Sequence, residues 1–384
     1  MFDSALLLPA HGHAPHLIGT RLLRKLAANI CIPEYYGKDQ REILRDEFPG
    51  ETGRIFLSES MGALLQPLLL GRQNSSQGKS SARIDLYASQ VREHFESINL
   101  SLGQMLESGI EAVSLDGVRR KFSRFDFALN TGLPVYSPVK PVYYAFVSRM
   151  SQIYEFSPYQ SPGVSFLKET WQGIEASFDH MFIPRLHSLY ECKDFDSTGI
   201  TLTPPFAHPV PVNQDDSSRI LQGSTLVIVS GTGMDLGKLI DIVKASPGRP
   251  WVTLPESPEA LEEDLATRVS PRSWGNPQVV AVLARSGLGS IWQAVLNEKP
   301  IGVVMPVAED DPEVYHNAQM VEKAKIGKIL TDRIDPLIEA LPEYLSGIQR
   351  QLQLEVENFG TTDGIEYTAA RLKRRLEASI AEQK

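Results

Sequence analysis

The chain has 384 residues, of which 42% are hydrophobic and 22% are charged, a composition typical of globular proteins. This length exceeds what one hydrophobic core usually supports, so we expect two domains. The formal net charge of −9 argues against a nucleic-acid partner, because binding a phosphate backbone requires a clustered positive surface.

Cysteine content and apolar runs indicate a cytoplasmic protein. Cys31 and Cys192 are too few for a disulfide framework and fit reduced thiols. The apolar run at 5–8 is too short for a signal peptide, and no run approaches the length of a transmembrane segment. The run at 63–70 could make a peripheral membrane contact, although the end of a core helix is the favoured interpretation. The oligomeric state stays open.

The first half of the chain alternates between strand and helix patterns. It opens with the apolar run, a turn rich in His, Gly and Pro, and a helical pattern over 17–28. Strands that alternate with helices imply a parallel, doubly wound sheet. The alternation continues with a predicted strand, helix and strand at 111–115, 118–130 and 133–139.

A proline-rich segment divides the chain. Residues 203–216 contain four prolines and few helix formers, as expected of a linker. Beyond this segment the alternation of strands and helices restarts, and the tail from residue 334 is strongly helical. We therefore predict an N-terminal domain at 1–202, a linker at 203–216 and a C-terminal domain at 217–384 that includes the terminal helices.

A glycine-rich turn follows the apolar run at 279–283 and precedes a helical pattern. Its glycines permit a tight strand-to-helix turn and a close approach of a ligand to the backbone. The helix points free N–H groups and the positive end of its dipole at this place, which suits a phosphate. An ordinary turn with a serine helix cap is the alternative. The residues of the turn are Arg285, Ser286, Gly287, Leu288, Gly289 and Ser290.

Two further segments of the second half suit a phosphorylated sugar. Gly231, Thr232 and Gly233 form a second glycine turn after a predicted strand. Glu309 and Asp310 follow the strand pattern at 300–306, and their carboxylates suit sugar hydroxyls. A bare strand-to-helix turn and a solvated acidic loop are the respective alternatives.

Segment 276–330 resembles the nucleotide-binding half of GT-B glycosyltransferases. The similar members are the small-molecule UDP-sugar transferases and the enzyme that adds N-acetylglucosamine to the lipid-linked peptidoglycan precursor. The resemblance implies an α/β protein of GT-B fold, with two doubly wound Rossmann-like domains facing a central cleft. The matching positions are Arg285, Gly287, Gly289, Ser290, Gln293-Ala294, Lys299-Pro300, Pro306, Glu309-Asp310, Asn317-Ala318 and Gly327.

Two positions depart from the pattern of this family. Arg285 replaces the family's histidine, and an arginine can hold a diphosphate through two parallel hydrogen bonds. Gln293 replaces the glutamate that binds the ribose hydroxyls, and it can still hydrogen-bond ribose without a charge. The resemblance therefore implies a nucleotide-diphosphate sugar as the donor, with UDP and dTDP both open.

Three histidines, His11, His13 and His16, cluster in the first turn. The family carries a Pro-x-x-Gly-His at this place, whose histidine deprotonates the acceptor hydroxyl, so the resemblance makes His13 the predicted base. A cap of the following helix or a ligand of an adventitious metal is the alternative. A histidine base works best when a carboxylate orients it. The resemblance assigns that role to Asp116, for which a helix N-cap is the alternative. His11 and His16 are expected to be structural or to line the site.

These residues together predict a glycosyltransferase, of EC class 2.4, that inverts the anomeric centre. Its substrates are a nucleotide-diphosphate sugar and a hydroxyl of a small-molecule acceptor. The resemblance implies no other cofactor and no metal, because GT-B enzymes use a helix dipole and positive side chains at the diphosphate. A nucleotide-sugar epimerase of the same fold, and a non-catalytic relative that binds or activates a partner, remain as alternatives.

Overall fold

The computed structural model describes residues 1–10, 12–69, 83–187, 199–207, 220–228, 233–254, 266–306 and 311–382. The chain forms two compact units. The first unit comprises Met1–Thr203 together with Ile365–Lys384, and the second comprises Pro204–Gly364. The first unit thus includes the last helix, which the sequence had placed in the C-terminal domain. Most of the predicted linker lies outside the described residues.

The first unit is built on a nine-stranded sheet. Its strand order is β5-β4-β3-β2-β1-β6-β7-β8-β9, and all neighbours are parallel except at β4, which pairs antiparallel with β3 and β5. The strands are β1 (Phe2–Pro9), β2 (Ala27–Pro33), β3 (Ile55–Ser58), β4 (Ile110–Ser114), β5 (Arg119–Phe122), β6 (Phe127–Thr131), β7 (Val142–Ala145), β8 (His180–Pro184) and β9 (Ile200–Thr203).

α-Helices lie between four of the eight pairs of consecutive strands in the described part of this unit. They begin directly after the carboxyl ends of β1, β2 and β3, so the helix N-termini and the strand ends share one edge of the sheet. The helices are α1 (His13–Leu23), α2 (Lys38–Glu47), α3 (Glu59–Leu65), α4 (Arg83–Ser108), α5 (Met150–Glu155) and α6 (Pro162–Ala176), with short 3₁₀ turns at Gln66–Leu68 and Arg185–His187.

The centre of the first sheet is fully buried. Successive residues Leu6, Leu7 and Leu8 of β1 have no exposed surface, so both faces of this strand are covered. That burial explains why the strand reads as a continuous apolar run rather than an alternating one. In the run at 63–70, Leu65, Leu68 and Leu69 are buried, and residue 70 lies outside the described residues.

The predicted helix at 118–130 is wrong. The chain instead turns back after β4 and forms β5 and then β6. Gly117 has a φ of 96°, and Asp-Gly at 116–117 is a turn signal that favours a hairpin over a helix. The strand predicted at 133–139 is likewise replaced by β7, which begins at Val142.

The second unit contains a six-stranded, entirely parallel sheet. Its order is β12-β11-β10-β13-β14-β15. Its core joins this sheet to residues of the surrounding helices, including Leu239, Ile242 and Leu337. The elements are β10 (Ser224–Ile228), α7 (Gly233–Lys244), β11 (Trp251–Thr253), β12 (Thr267–Arg268), a 3₁₀ turn (Pro271–Gly275), β13 (Val279–Ala284), α8 (Leu288–Leu296), β14 (Ile301–Val304), α9 (Pro312–Lys323), β15 (Gly327–Leu330), α10 (Asp335–Glu339) and α11 (Leu341–Phe359).

The last helix, α12 (Gly364–Glu382), packs on the first unit. Its Leu372 and Leu376 are buried, and its Glu366 forms an ion pair with Lys25. Near its end, Arg375 lies close enough to His180 to affect the titration of the imidazole. Burial first, and the charge of Arg375 second, lower the pKa of His180 from 6.5 to about 4.

We expect the protein to lose stability as the pH falls from 6.5 to 4. In this range His180 binds a proton in the unfolded chain but not in the folded one, so each step down in pH favours unfolding. The pKa difference sets an upper limit of about 3 kcal/mol. Urea unfolding of the wild type and of His180→Gln at several pH values measures the effect, and the variant should show the shallower dependence. His94→Gln, on the partly exposed surface of α4, is the control; an identical slope in all three proteins would contradict the assignment.

Candidate functional site

Both sheets change strand order once, and open parallel sheets bind ligands at the carboxyl edge beside such a change. In the first sheet, β1 lies between β2 and β6. In the second sheet, β10 is flanked by β11 and β13. Strands β1, β10 and β13 therefore end at these crevices. The sequence predicts His13, Gly231–Gly233 and Arg285–Ser290 in the segments that follow these three strands.

The turn after β1 will be called the histidine turn, residues 12–16. Gly12 has a φ of 98° and a ψ of 165°, a conformation that L side chains rarely adopt, and His13 begins α1. The N–H of Gly12 donates to the hydroxyl oxygen of Tyr36 at 2.6 Å. The Nδ1 of His16 lies 2.9 Å from the carbonyl oxygen of Gly12, so Nδ1 is the protonated nitrogen of this ring.

His16 is part of the structure of this turn, one of the two roles expected for it. It is only 3% exposed, and its ring packs on Tyr35 and Tyr36, with centroid distances of 5.3 Å and 5.8 Å. His11 lies outside the described residues. His13 is the first residue of α1, the helix that starts at the switch of strand order, and its role as the base stays a prediction.

Asp116 lies at the opposite edge of the first sheet, so its predicted pairing with His13 needs correction. The ladder aligns Ser114 of β4 with Phe56 of β3, and β4 runs antiparallel, which puts Asp116 level with the start of β3. Through β2, that level corresponds to Ser4 of β1. His13 lies beyond the other end of β1. Five residues of strand separate Ser4 from Pro9, about 16 Å along the strand direction alone.

The contacts of Asp116 are those of a turn residue. Its carboxylate accepts a hydrogen bond from the hydroxyl of Ser114, and that hydroxyl oxygen accepts the N–H of Val118 at 2.9 Å. A Cβ on Gly53 would lie 3.1 Å from the Asp116 carboxylate, which confirms its place beside the amino end of β3. Asp116 therefore stabilises the hairpin between β4 and β5. The sequence misplaced it because the helix assigned after it does not exist.

The turn after β13 will be called the arginine turn, residues 285–287. The N–H of Gly287 donates to the carbonyl of Arg285 at 2.7 Å, and α8 begins at Leu288. Ser286 is fully buried, and its hydroxyl donates to the carbonyl of Val314 at 2.7 Å. That hydroxyl ties the arginine turn to α9 and does not offer its proton to a ligand.

Residues of α8 contribute to this edge mainly through their backbone. No side chain caps the helix, and the N–H groups of its first turn, Leu288 to Ser290, lack acceptors within the helix. The side chain of Leu288 is buried, so its N–H is the group available to a ligand. Gln293 is partly exposed in the next turn, where its amide oxygen accepts from Asn297 at 3.2 Å. Its amide N–H₂ remains suited to the predicted ribose contact.

Glu313 in the first turn of α9 lies beside Arg285, and the sequence did not assign it to the site. Burial first, and the Asp311 carboxylate second, raise the pKa of Glu313 to about 8, while Asn317 and Arg285 act in the opposite direction. The Nδ2 of Asn317 lies 3.4 Å from the Glu313 carboxyl. Glu313 is thus mainly protonated at neutral pH and adds no negative charge beside Arg285. Its spacing of four residues from Asn317, one helical turn, is the signal that could have found it.

Lys238 is a second cation at the same edge that sequence reasoning missed. Its Nζ donates to the carbonyl of Met305 at 3.1 Å. The ladder pairs Ala284, the last residue of β13, with Val303, so Met305 lies just beyond the same edge of the sheet as the arginine turn. The ammonium of Lys238 therefore lies at that edge too. The signal in the sequence is a lysine in the second turn of the helix that follows Gly233.

Several predicted residues fall outside the part of the chain that the structure describes. These are Gly231, Thr232, Glu309 and Asp310. Gly233 is the first residue of α7, and residues 229–232 before it lie outside the described part of the chain. Met305 and Pro306 bring the chain to the carboxyl edge just before the segment that holds Glu309 and Asp310.

Within the described residues, no three His, Cys, Asp or Glu side chains gather in a way that could hold a metal ion. Among the helices in the described ranges, none combines the length and the apolar character needed to cross a membrane.

Solved structures match this chain over its whole length, although no protein-family model and no curated protein sequence does. LpCGTa in complex with UDP matches with a TM-score of 0.62 and 13% identity, covering 98% of this chain and 99% of that one. A UDP-glucosyltransferase from Polygonum tinctorium, capable of glucosylating indoxyl, matches with a TM-score of 0.59 and 12% identity, covering 98% of this chain and 99% of that one. CalG4, the calicheamicin glycosyltransferase, matches with a TM-score of 0.57 and 13% identity, covering 100% of this chain and 99% of that one.

These matches establish the fold. Both Rossmann-like units correspond to those of GT-B structures, and the fold that the sequence resemblance predicted is confirmed. At identities of 12–13% the matches show the fold of this chain but not the reaction that it catalyses.

We expect Glu313 to make the protein less stable as the pH rises from 4.5 to 8. In this range the unfolded glutamate loses its proton while the folded one retains it, so rising pH favours unfolding. Glu313→Gln mimics the protonated side chain and should gain stability relative to the wild type at pH 8 but not at pH 4.5. Chemical denaturation at both pH values measures the difference. Glu339→Gln, at the exposed end of α10, is the control, and an equal gain in the control would contradict the prediction.

Proposed function

We propose that this protein transfers a sugar from a nucleotide-diphosphate sugar, UDP- or dTDP-linked, to a hydroxyl of a small-molecule acceptor. The observation that carries the proposal is the arginine turn: a cation and a helix N-terminus at the strand-order switch of the second sheet. In a GT-B fold, such a combination suits the diphosphate of a donor. The UDP complex of LpCGTa, a structure of the same fold, agrees with this choice of ligand.

The diphosphate is proposed to lie against the first turn of α8. Backbone N–H groups of Leu288, Gly289 and Ser290 donate to its oxygens, and the helix dipole favours its negative charge. Arg285 and Lys238 supply the two positive side chains at this place. As the bond to the sugar breaks, negative charge grows on the leaving diphosphate, where these groups are already in place.

The neutral state of Glu313 supports this assignment. A carboxylate beside Arg285 would repel the diphosphate and compete for the guanidinium, whereas a protonated carboxyl does neither. A neutral carboxyl can in addition donate one hydrogen bond and accept another, as a sugar hydroxyl does. We therefore propose Glu313 as a contact of the donor, together with the predicted contacts of Gln293 with ribose and of Glu309 and Asp310 with the sugar.

His13 is proposed as the base that acts on the acceptor. Its imidazole takes the proton of the acceptor hydroxyl while the oxygen forms a bond to the anomeric carbon of the donor. The bond between that carbon and the diphosphate oxygen breaks, and its electron pair leaves with the diphosphate. Attack on the face opposite the leaving group inverts the anomeric centre. Asp116 takes no part in this step, because it lies at the other edge of the sheet.

We expect the two cations of the second unit to determine nucleotide affinity. Arg285→Met should weaken UDP or dTDP binding by about 10- to 100-fold, as loss of a charge-assisted hydrogen-bond pair does, and Lys238→Met by about 3- to 10-fold. Isothermal titration calorimetry measures both. Lys244→Met changes an exposed lysine at the far end of α7 and should bind as the wild type does. If the wild type binds neither UDP nor dTDP, the donor assignment is wrong.

We expect His13→Ala to lower kcat for sugar transfer by at least about 100-fold, since a positioned base contributes this much or more. Asp116→Asn should stay within about twofold of the wild type because it is remote from the step. Chromatography of reactions with UDP-glucose and a panel of small alcohols and phenols gives the rates. Full activity of His13→Ala rules out the base. Isomerised sugar without an acceptor points to an epimerase, and binding without turnover to a non-catalytic protein.

A further inference from the structure

Gly12 is held on both of its polar backbone atoms by side chains. Tyr36, from the loop after β2, accepts its N–H at 2.6 Å, and His16, from the next turn of α1, donates to its carbonyl at 2.9 Å. No side chain caps α1 at this position, so the two bonds replace an ordinary helix cap. They act on the residue directly before His13.

Such bonds matter because of the conformation that they hold. A glycine at a φ of 98° has more accessible backbone states than any other residue, so it fixes the chain least by itself. The side chains that bind Gly12 are themselves fixed. His16 is 3% exposed, and the amide oxygen of Gln40 accepts the N–H groups of Tyr35 at 2.8 Å and Tyr36 at 3.2 Å.

We infer that Tyr36 and His16 are positioning residues for His13, an inference that rests on the proposed transfer reaction. The correction of Asp116 removes the carboxylate that was expected to orient this base. The hydrogen bonds to Gly12 instead determine where the first residue of α1 lies, and a displacement of about 1 Å at a reacting group can lower the rate of a step by about 100-fold. Neither residue contacts the acceptor or takes the proton.

Tyr35 provides a matched comparison. It is the neighbouring residue, packs its ring on His16, and donates its hydroxyl to the carbonyl of Pro9 at 3.2 Å. Pro9 belongs to β1, whose ladder with β6 already fixes the backbone at that position. Loss of the Tyr35 hydroxyl therefore leaves the histidine turn in place, whereas loss of the Tyr36 hydroxyl releases Gly12.

The first test compares Tyr36→Phe with Tyr35→Phe in the transfer reaction. Tyr36→Phe should lower kcat by about 10-fold or more with the donor KM and the UDP affinity unchanged, and Tyr35→Phe should stay within about twofold. Hydrogen exchange of peptides that span Gly12 should speed up in Tyr36→Phe alone. Equal kcat and equal exchange in the two variants overturn the inference, whereas an inactive wild type, or full activity of His13→Ala, overturns the proposed reaction instead.

The second test changes His16 and measures whether a variant that keeps a hydrogen-bond donor restores kcat. His16→Leu removes both the ring and the donor to Gly12, while His16→Asn removes the ring but keeps an N–H₂ group near the place of Nδ1. Both variants lose the imidazole that packs on Tyr35 and Tyr36, and thermal unfolding measures the cost of that loss in each variant. If the bond to Gly12 is what matters, kcat should fall by about 10-fold in His16→Leu and recover at least partly in His16→Asn. Equal kcat values in the two variants would show that His16 serves packing only.

Discussion

In a parallel sheet the carboxyl ends of all strands lie at one edge, and each candidate site depends on this arrangement. The helix that follows each strand starts at that edge, and the N–H groups of its first turn can bind an anion. A residue of the connecting turn can also direct its side chain to a ligand at the same edge. Where the strand order reverses, the two neighbouring connections leave to opposite sides and open a crevice. The histidine turn and the arginine turn occupy such places, in the first and the second sheet respectively.

Charge at the arginine turn depends on burial rather than on the count of ionisable residues. Asp311 and Arg285 both lie near Glu313, and an ionised Glu313 would place a further negative charge beside the Arg285 guanidinium. Desolvation keeps Glu313 protonated at neutral pH, so it adds no such charge. The same physics acts in the first unit at His180, where burial under α12 keeps the imidazole neutral.

Local patterns in the sequence were reliable where they described a strand followed by a glycine turn. The apolar runs of β1 and β13, and the turns after them, could be predicted because each pattern is complete within a few residues. The role of Asp116 could not be predicted in this way. It required the direction of β4, and that direction depends on pairing with β3, more than fifty residues earlier in the chain. Similarly, nothing local places α12 on the first unit.

The sequence by itself determined the α/β alternation, the two Rossmann-like units and the turns that hold His13 and Arg285, because hydrophobic period and glycine position are local properties. The tertiary structure decided which side chains share an edge. It brought Glu313, Lys238 and Tyr36 to the two turns and removed Asp116 from His13. Strand register and burial cause these changes, and both arise from contacts between segments far apart in the chain.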